Sequence, residues 1–224
     1  MPDYYSQKLS AERLRLCYEI APPRVKRYLE AEIEFVLNKI KPTDFVLELG
    51  CGYGRVLKKL MTKAKTVVGI DTSRDSLALA LEIIGKSTSC HLFAMNARVL
   101  GFLDRQFDLV LCIQNGISAF KVNPRKLIKE AVRVTQPGGT VLFSSYADQF
   151  WKERLAWFRL QSDYGLIGEI DDERTGKGVI VCKDGFTART VLPDDFLAWT
   201  SDLEVDPKIT EVDGSSIFYE IKKY

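Results

Sequence analysis

Five short apolar runs, at 45–49, 66–70, 90–95, 107–113 and 140–146, alternate with stretches of helical period, and no other feature limits the chain as much. Runs this rich in Val, Leu, Ile and Phe suit strands covered on both faces of a sheet. Parallel neighbours cannot be joined by a tight turn and need a crossover, usually helical. The stretches at 54–63, 73–84 and 124–134 have the apolar spacing of such helices. The pattern predicts a doubly wound α/β core built on a mostly parallel sheet. Gln136-Pro137-Gly138-Gly139 is expected to stop the last helix before the fifth strand, because proline cannot continue a helix and glycine accepts positive φ.

The flanks read differently. Residues 1–40 form a helical segment: Leu14, Cys17 and Ile20 share a face, and after the Ala21-Pro22-Pro23 break Val25, Leu29, Ile33 and Ile40 form a second stripe. Residues 41–147 contain the core, and 148–192 read as an insertion or lid. Its first part is dense in large apolar groups, and its runs at 166–170, 178–183 and 186–191, divided by turn residues, predict a small antiparallel meander. Residues 193–224 supply a helix opened by Pro193-Asp194-Asp195 and a hairpin folding back across Asp213-Gly214. The two hairpin strands complete a seven-stranded sheet.

Thirty-two Lys and Arg against thirty Asp and Glu leave a net charge of +2, with both signs interleaved. A broad nucleic-acid footprint is absent, which argues against nucleic acid as a partner. No apolar run reaches the roughly 18 residues of a membrane span, and Met1 to Ser10 lack the basic-then-apolar pattern of a signal peptide. The cytoplasm is therefore the expected location. Cys17, Cys51, Cys90, Cys112 and Cys182 are scattered without a CxxC pair, a spacing that suits reduced thiols and predicts no metal site.

The chemistry concentrates after the first run, in Glu48-Leu49-Gly50-Cys51-Gly52-Tyr53-Gly54-Arg55. Three glycines at alternate positions let the main chain approach a ligand closely. Asp71 ends the next strand, about twenty residues beyond the first glycine, where an acidic side chain can accept hydrogen bonds from ribose hydroxyls. The order is G-x-G-x-G and not the dinucleotide fingerprint G-x-G-x-x-G. Glu48 is a poor neighbour for a phosphate and a suitable one for a cationic amine or sulfonium.

With these residues the chain resembles the class I S-adenosylmethionine-dependent methyltransferases from about residue 42 to 146. Glu48 to Gly54 look like that family's first motif, Gly69-Ile70-Asp71 like its second, and Met95-Asn96-Ala97 like its adenine-contacting segment. Phe107 to Val110 look like its fourth strand, and Leu127 to Gly139 like the helix and turn before its fifth. The resemblance implies a Rossmann-like methyltransferase fold, S-adenosylmethionine as cofactor and a methyl transfer. It also implies roles. Gly50, Cys51 and Gly52 contact the methionyl part, with Glu48 and Gly54 shaping that loop; Asp71 binds ribose with Thr72 beside the adenine; Asn96 and Ala97 frame the adenine amino group. Asn96 departs from the acid common in relatives, but its amide oxygen can still accept from an amine.

Gln114 and Asn115 follow the fourth strand, where cofactor and acceptor meet, and the segment lacks the Asn/Asp-Pro-Pro-aromatic sequence of base-modifying relatives. Phe120, Tyr146, Phe150 and Trp151, with Trp157 and Phe158, are the expected walls of a small-molecule acceptor cavity, which Tyr4 and Tyr5 close. The single histidine, His91, starts the third strand, at the wrong end of a sheet of this kind for catalysis. No general base is assigned. An NAD(P)-dependent oxidoreductase and an S-adenosylmethionine-binding protein without turnover stand as alternatives.

Overall fold

The computed structural model describes residues 4–224, so residues 1–3 of the helical segment lie outside it. The chain begins with three helices, α1 (Tyr4–Lys8), α2 (Ala11–Glu19) and α3 (Pro23–Leu37). The core follows as β1 (Phe45–Leu49), α4 (Arg55–Leu60), β2 (Thr66–Asp71), α5 (Arg74–Ile84), β3 (Cys90–Ala94) and β4 (Phe107–Cys112). It continues through α6 (Gly116–Ala119), α7 (Pro124–Val134) and β5 (Thr135–Tyr146). The insertion holds α8 (Trp151–Asp163), β6 (Val179–Val181) and β7 (Thr187–Arg189), and the chain closes with α9 (Pro193–Thr200), β8 (Lys208–Val212) and β9 (Ser216–Lys222).

Seven strands form one sheet in the order β3-β2-β1-β4-β5-β9-β8, and β6 and β7 form a separate pair. The five strands from β1 to β5 are parallel; β9 enters antiparallel between β5 and β8. This is the doubly wound, mostly parallel sheet with a small antiparallel insertion that the alternation predicts. Because side chains alternate across a strand, β1 supplies both faces. Leu47 and Leu49 pack with α7 and α9 through Leu127, Ile128 and Phe196. Val46 packs with α3 and α4 through Ile33, Val36 and Leu57. A third core joins α2, the start of α3, α8 and the insertion hairpin through Cys17, Tyr28, Trp157 and Phe186.

Sequence cues account for most boundaries. Ser73 Oγ accepts from Ser76 N at the start of α5, and Asn123 Oδ1 accepts from Lys126 N ahead of Pro124 at the first position of α7. Three expectations need correction. The first forty residues contain a short additional helix, α1. Gln136 to Gly139 do not separate α7 from a strand beginning at Thr140: β5 begins at Thr135, directly after α7. Its register with β4 jumps from Phe107↔Thr135 to Leu109↔Thr140, so the extra residues are taken up as a bulge, with Gly138 at φ +79°. The meander is also smaller than expected. Residues 166–170 join it only through the Ile170↔Cys182 bridge, because Leu166 and Ile167 turn into the third core while Gly168 packs directly on the Asp184 side chain.

One buried acid ties these layers together. Glu32 sits on the apolar stripe of α3 and is completely buried. Its Oε2 accepts from Gln114 N at 2.8 Å and Ser144 Oγ at 2.9 Å, and its Oε1 from Ser216 Oγ at 2.6 Å. These contacts pin α3 to the carboxyl ends of β4 and β5 and to the start of β9. Glu32→Ala removes all three acceptor contacts and is expected to cost about 3 kcal/mol, since each buried donor left unpaired costs about 1–3 kcal/mol. Urea denaturation followed by circular dichroism measures it, and a loss below about 0.5 kcal/mol contradicts this role.

Candidate active site

The sheet winds outward from β1 through β2 to β3, then crosses to β4 on the other side. Crossovers therefore leave in opposite directions at the ends of β1 and β4, and a crevice opens beyond their carboxyl ends. A cavity of about 920 Å³ occupies that place. The glycine loop after β1 forms its base. Gly50 N and Cys51 N both donate to Ile70 O, at 2.8 and 2.9 Å, which draws the loop onto the end of β2. Gly50 has φ +76°, and a Cβ there would lie 2.5 Å from the Phe120 ring, so only glycine fits. Asp71 couples the loop to the second motif: its Oδ2 accepts from Gly52 N at 2.9 Å and its Oδ1 from Ser73 N at 2.8 Å. The carboxylate is thereby oriented at the cavity wall.

Glu48, Gly50, Cys51, Gly52, Asp71 and Thr72 line this cavity together with Asn96, Ala97 and Gln114. Asn96 is exposed and its Oδ1 accepts from Arg98 N. Phe120 and Tyr146 line the same space from the acceptor side, joined by Tyr4, Tyr5, Trp157 and Phe158. Four sequence-predicted residues stand elsewhere. Gly54 lies outside the lining; it brings α4 against α5, where a Cβ would meet Ala80 Cβ at 3.1 Å. Asn115 is buried behind the wall, where its Oδ1 accepts from Ser145 Oγ and its Nδ2 donates to Arg189 O, fastening the insertion to β5. Phe150 packs in the third core against the rings of Tyr28 and Tyr146. Trp151 lines a neighbouring cavity.

The turn that presents Gln114 is strained. Gln114 and Asn115 both have positive φ, 56° and 62°, unusual for two consecutive residues other than glycine. Glu32 compensates by accepting from Gln114 N. Arg55 Nη2 donates to Gln114 Oε1 and its guanidinium lies 4.5 Å from the centre of the Tyr18 ring. Tyr18, Tyr28 and Gln161 also line the cavity. These contributors were not assigned from the sequence, although a charge on the stripe of Val25, Tyr28, Leu29, Ile33 and Val36 was a readable signal for Glu32.

Among the described residues, six buried side-chain polar atoms lack a hydrogen-bond partner, and four belong to residues lining this cavity: Tyr28 Oη, Glu48 Oε2, Gln114 Nε2 and Gln161 Nε2. Buried groups are rarely left so, and their clustering marks a place that a polar ligand completes. Burial pushes the Glu48 carboxyl up to about 8, with the Asp71 charge adding to the rise and Arg55 opposing it. Burial likewise raises Glu32 to about 7, against the lowering effect of its hydroxyl and backbone donors. Cys51 and Cys112 are buried, and burial holds both thiols well above the ordinary value, in the poorly nucleophilic protonated form.

Residues 46–139 match the family model described as a methyltransferase domain. This part of the chain is a methyltransferase domain. It is 34% identical over 129 residues to the malonyl-[acyl-carrier protein] O-methyltransferase of Marinomonas sp. (strain MWYL1), an alignment covering 55% of this chain and 46% of that one. The chain spans less than half the length of the first curated relatives it matches. Its fold is that of a methyltransferase from Methanosarcina mazei (TM-score 0.63, 19% identity, 84% of this chain and 97% of that one). It is also that of the N-methyltransferase NodS from Bradyrhizobium japonicum WM9 bound to S-adenosyl-L-homocysteine (TM-score 0.59, 15% identity, 95% and 96%). Among the described residues, no helix is long and apolar enough to cross a membrane.

Glu48 and Glu32 predict how the stability of the chain responds to pH. Both acids have ordinary values of 4.5 and raised values when folded, so the native chain holds protons that the unfolded chain releases. Their stabilisation is fully present below about 4.5 and is lost as pH rises through about 7 and 8. Glu48→Gln, which stays neutral, is expected to lose less stability than the parent between about pH 5 and pH 9 in urea titrations. Equal slopes in parent and variant contradict the raised Glu48.

Proposed function

We propose that this chain is a cytoplasmic S-adenosylmethionine-dependent methyltransferase acting on a small-molecule acceptor. In this reading residues 41–147 hold the cofactor, residues 148–192 with the N-terminal helices enclose the acceptor, and residues 193–224 complete the sheet. The observation that carries it is the set of unpartnered polar atoms around a glycine-lined crevice at the point where the sheet reverses its winding. The residues fit the cofactor: glycine backbone for close approach, Asp71 for a ribose diol, and a buried carboxyl beside the loop for a cation. When bound, S-adenosylmethionine supplies an activated methyl group on a sulfonium.

The chain then has three tasks. Gly50, Cys51 and Gly52 seat the methionyl part while Asp71, Thr72, Asn96 and Ala97 hold the adenosine. Glu48, ionising as a cation arrives, balances that charge inside a buried wall. Tyr18, Tyr28, Tyr146, Trp157 and Phe158 exclude water and present the acceptor in line, a positioning worth up to about 7–11 kcal/mol. No general base has to be named for an acceptor that is already nucleophilic. The interleaved charge of the chain supports a small molecule over nucleic acid as acceptor.

Calorimetric titration with S-adenosylmethionine tests the cofactor reading. Binding is expected, with affinity rising as pH climbs toward about 8 and a proton released to buffer, because the Glu48 carboxyl must ionise. Asp71→Ala is expected to weaken binding about tenfold or more, a charge-assisted hydrogen bond being worth about 1.5–3 kcal/mol. Absence of binding at millimolar cofactor removes the proposal. Radiolabelled methyl transfer to a metabolite extract tests turnover: a labelled small molecule is expected, and binding without any labelled product would indicate a binding protein in place of an enzyme.

A further inference from the structure

Beside the cofactor crevice lies a second cavity of about 960 Å³, and its walls are unusually cationic. Lys121, Arg154, Lys177 and Arg189 line it, against a single carboxylate, Asp148. It shares Lys121, Val122, Tyr146 and Thr187 with the first cavity, so the two adjoin along these residues. Arg189 is offset by Asp195 at 2.6 Å. Arg154 has no such offset.

The Arg154 side chain is completely buried and forms no ion pair with a described acid. Its Nη1 donates to Gly178 O at 3.1 Å and Thr190 Oγ1 at 2.8 Å, and its Nη2 to Ala188 O at 2.9 Å. Its guanidinium lies 4.2 Å from the centre of the Tyr146 ring. A guanidinium carries five donors; three are used here, and Nε is without a partner. Nε, the donor left without a partner, can meet an oxygen of a carboxylate in a charge-assisted hydrogen bond. Holding three carbonyl or hydroxyl oxygens of the insertion requires donors, not a charge, and a charge buried without a counter-ion is strongly unfavourable. The Tyr146, Trp151 and Phe158 rings, whose centres lie 4.2, 5.6 and 5.6 Å from the guanidinium, offset part of that charge, but among the described residues no carboxylate does. The nearby unpartnered Tyr28 hydroxyl and Gln161 amide add donors on the crevice side of Tyr146.

We propose that Arg154 binds a carboxylate of the methyl acceptor, whose body passes Tyr146 to reach the cofactor crevice. This rests on the methyltransferase reading above for the word acceptor, and on the basic cavity alone for the anion. Aromatic walls at Tyr146, Trp151 and Trp199 suit a planar organic acid.

The probes are benzoate, its uncharged analogue benzamide and inorganic phosphate, titrated into the full chain with and without S-adenosylhomocysteine. Benzoate is expected to bind at least about tenfold more tightly than benzamide or phosphate. Arg154→Met is expected to weaken benzoate about tenfold or more while leaving S-adenosylhomocysteine affinity within about twofold. Crystals of the unaltered chain soaked with 4-bromobenzoate provide a measurement that needs no variant: bromine signal in the cavity with the carboxylate on Nε is expected. Benzamide binding as tightly as benzoate, undiminished benzoate binding by Arg154→Met, or bromobenzoate placed elsewhere overturns the carboxylate site. Phosphate binding more tightly than benzoate assigns the cavity to another oxyanion and overturns it too. Benzoate binding at Arg154 without any S-adenosylhomocysteine binding would overturn the methyl-donor reading and the acceptor assignment, leaving only an anion site.

Discussion

The Glu32 carboxylate is the contact on which the crevice depends. The sheet itself would form without it, since its strands are apolar and pair along their length. What the sheet alone cannot do is hold two consecutive left-handed residues, Gln114 and Asn115, at the end of β4. Glu32 accepts the Gln114 amide together with hydroxyls from Ser144 and Ser216, so one side chain of α3 joins three strands at their business end. The strained turn in turn sends Gln114 into the cavity and Asn115 behind it, where Asn115 fastens the insertion. Strain at a ligand site persists because the surroundings over-determine it.

The glycine loop is similarly interlocked. Asp71 orients Gly52, Ile70 draws in Gly50 and Cys51, and Phe120 closes over Gly50 where a side chain would stand. The surface that meets the ligand is therefore largely backbone, fixed by neighbours on β2 and α6. Polar atoms without partners remain in this wall. They raise the free energy of the ligand-free chain and make a polar ligand the natural complement. Glu48 expresses the same imbalance as a raised carboxyl.

Much of this was legible in the chain. The parallel core could be read because a strand buried on both faces must be apolar throughout, and the glycine loop and Asp71 because their spacing is local. The helices at 73–84 and 124–134 followed from their apolar spacing. The bulge at Gln136 to Gly139 was not legible, since proline and glycine signal a break equally well whether it falls between elements or inside a strand. Nor was the reduced meander, where Leu166 and Ile167 are buried by packing on α2 and α8 without forming a ladder.

Arg154 and Asn115 mark the division most clearly. Periodicity and short motifs determined the fold class, the succession of strands and helices along the chain and the glycine loop after the first strand, because those depend on residues close together in sequence. Whether a polar residue faces a cavity or a neighbouring backbone depends on distant segments. Asn115 is occupied by Ser145 and Arg189, and Arg154 is oriented by Gly178, Ala188 and Thr190. Only tertiary structure decided those roles, because a buried polar group takes its meaning from the partners that packing brings to it.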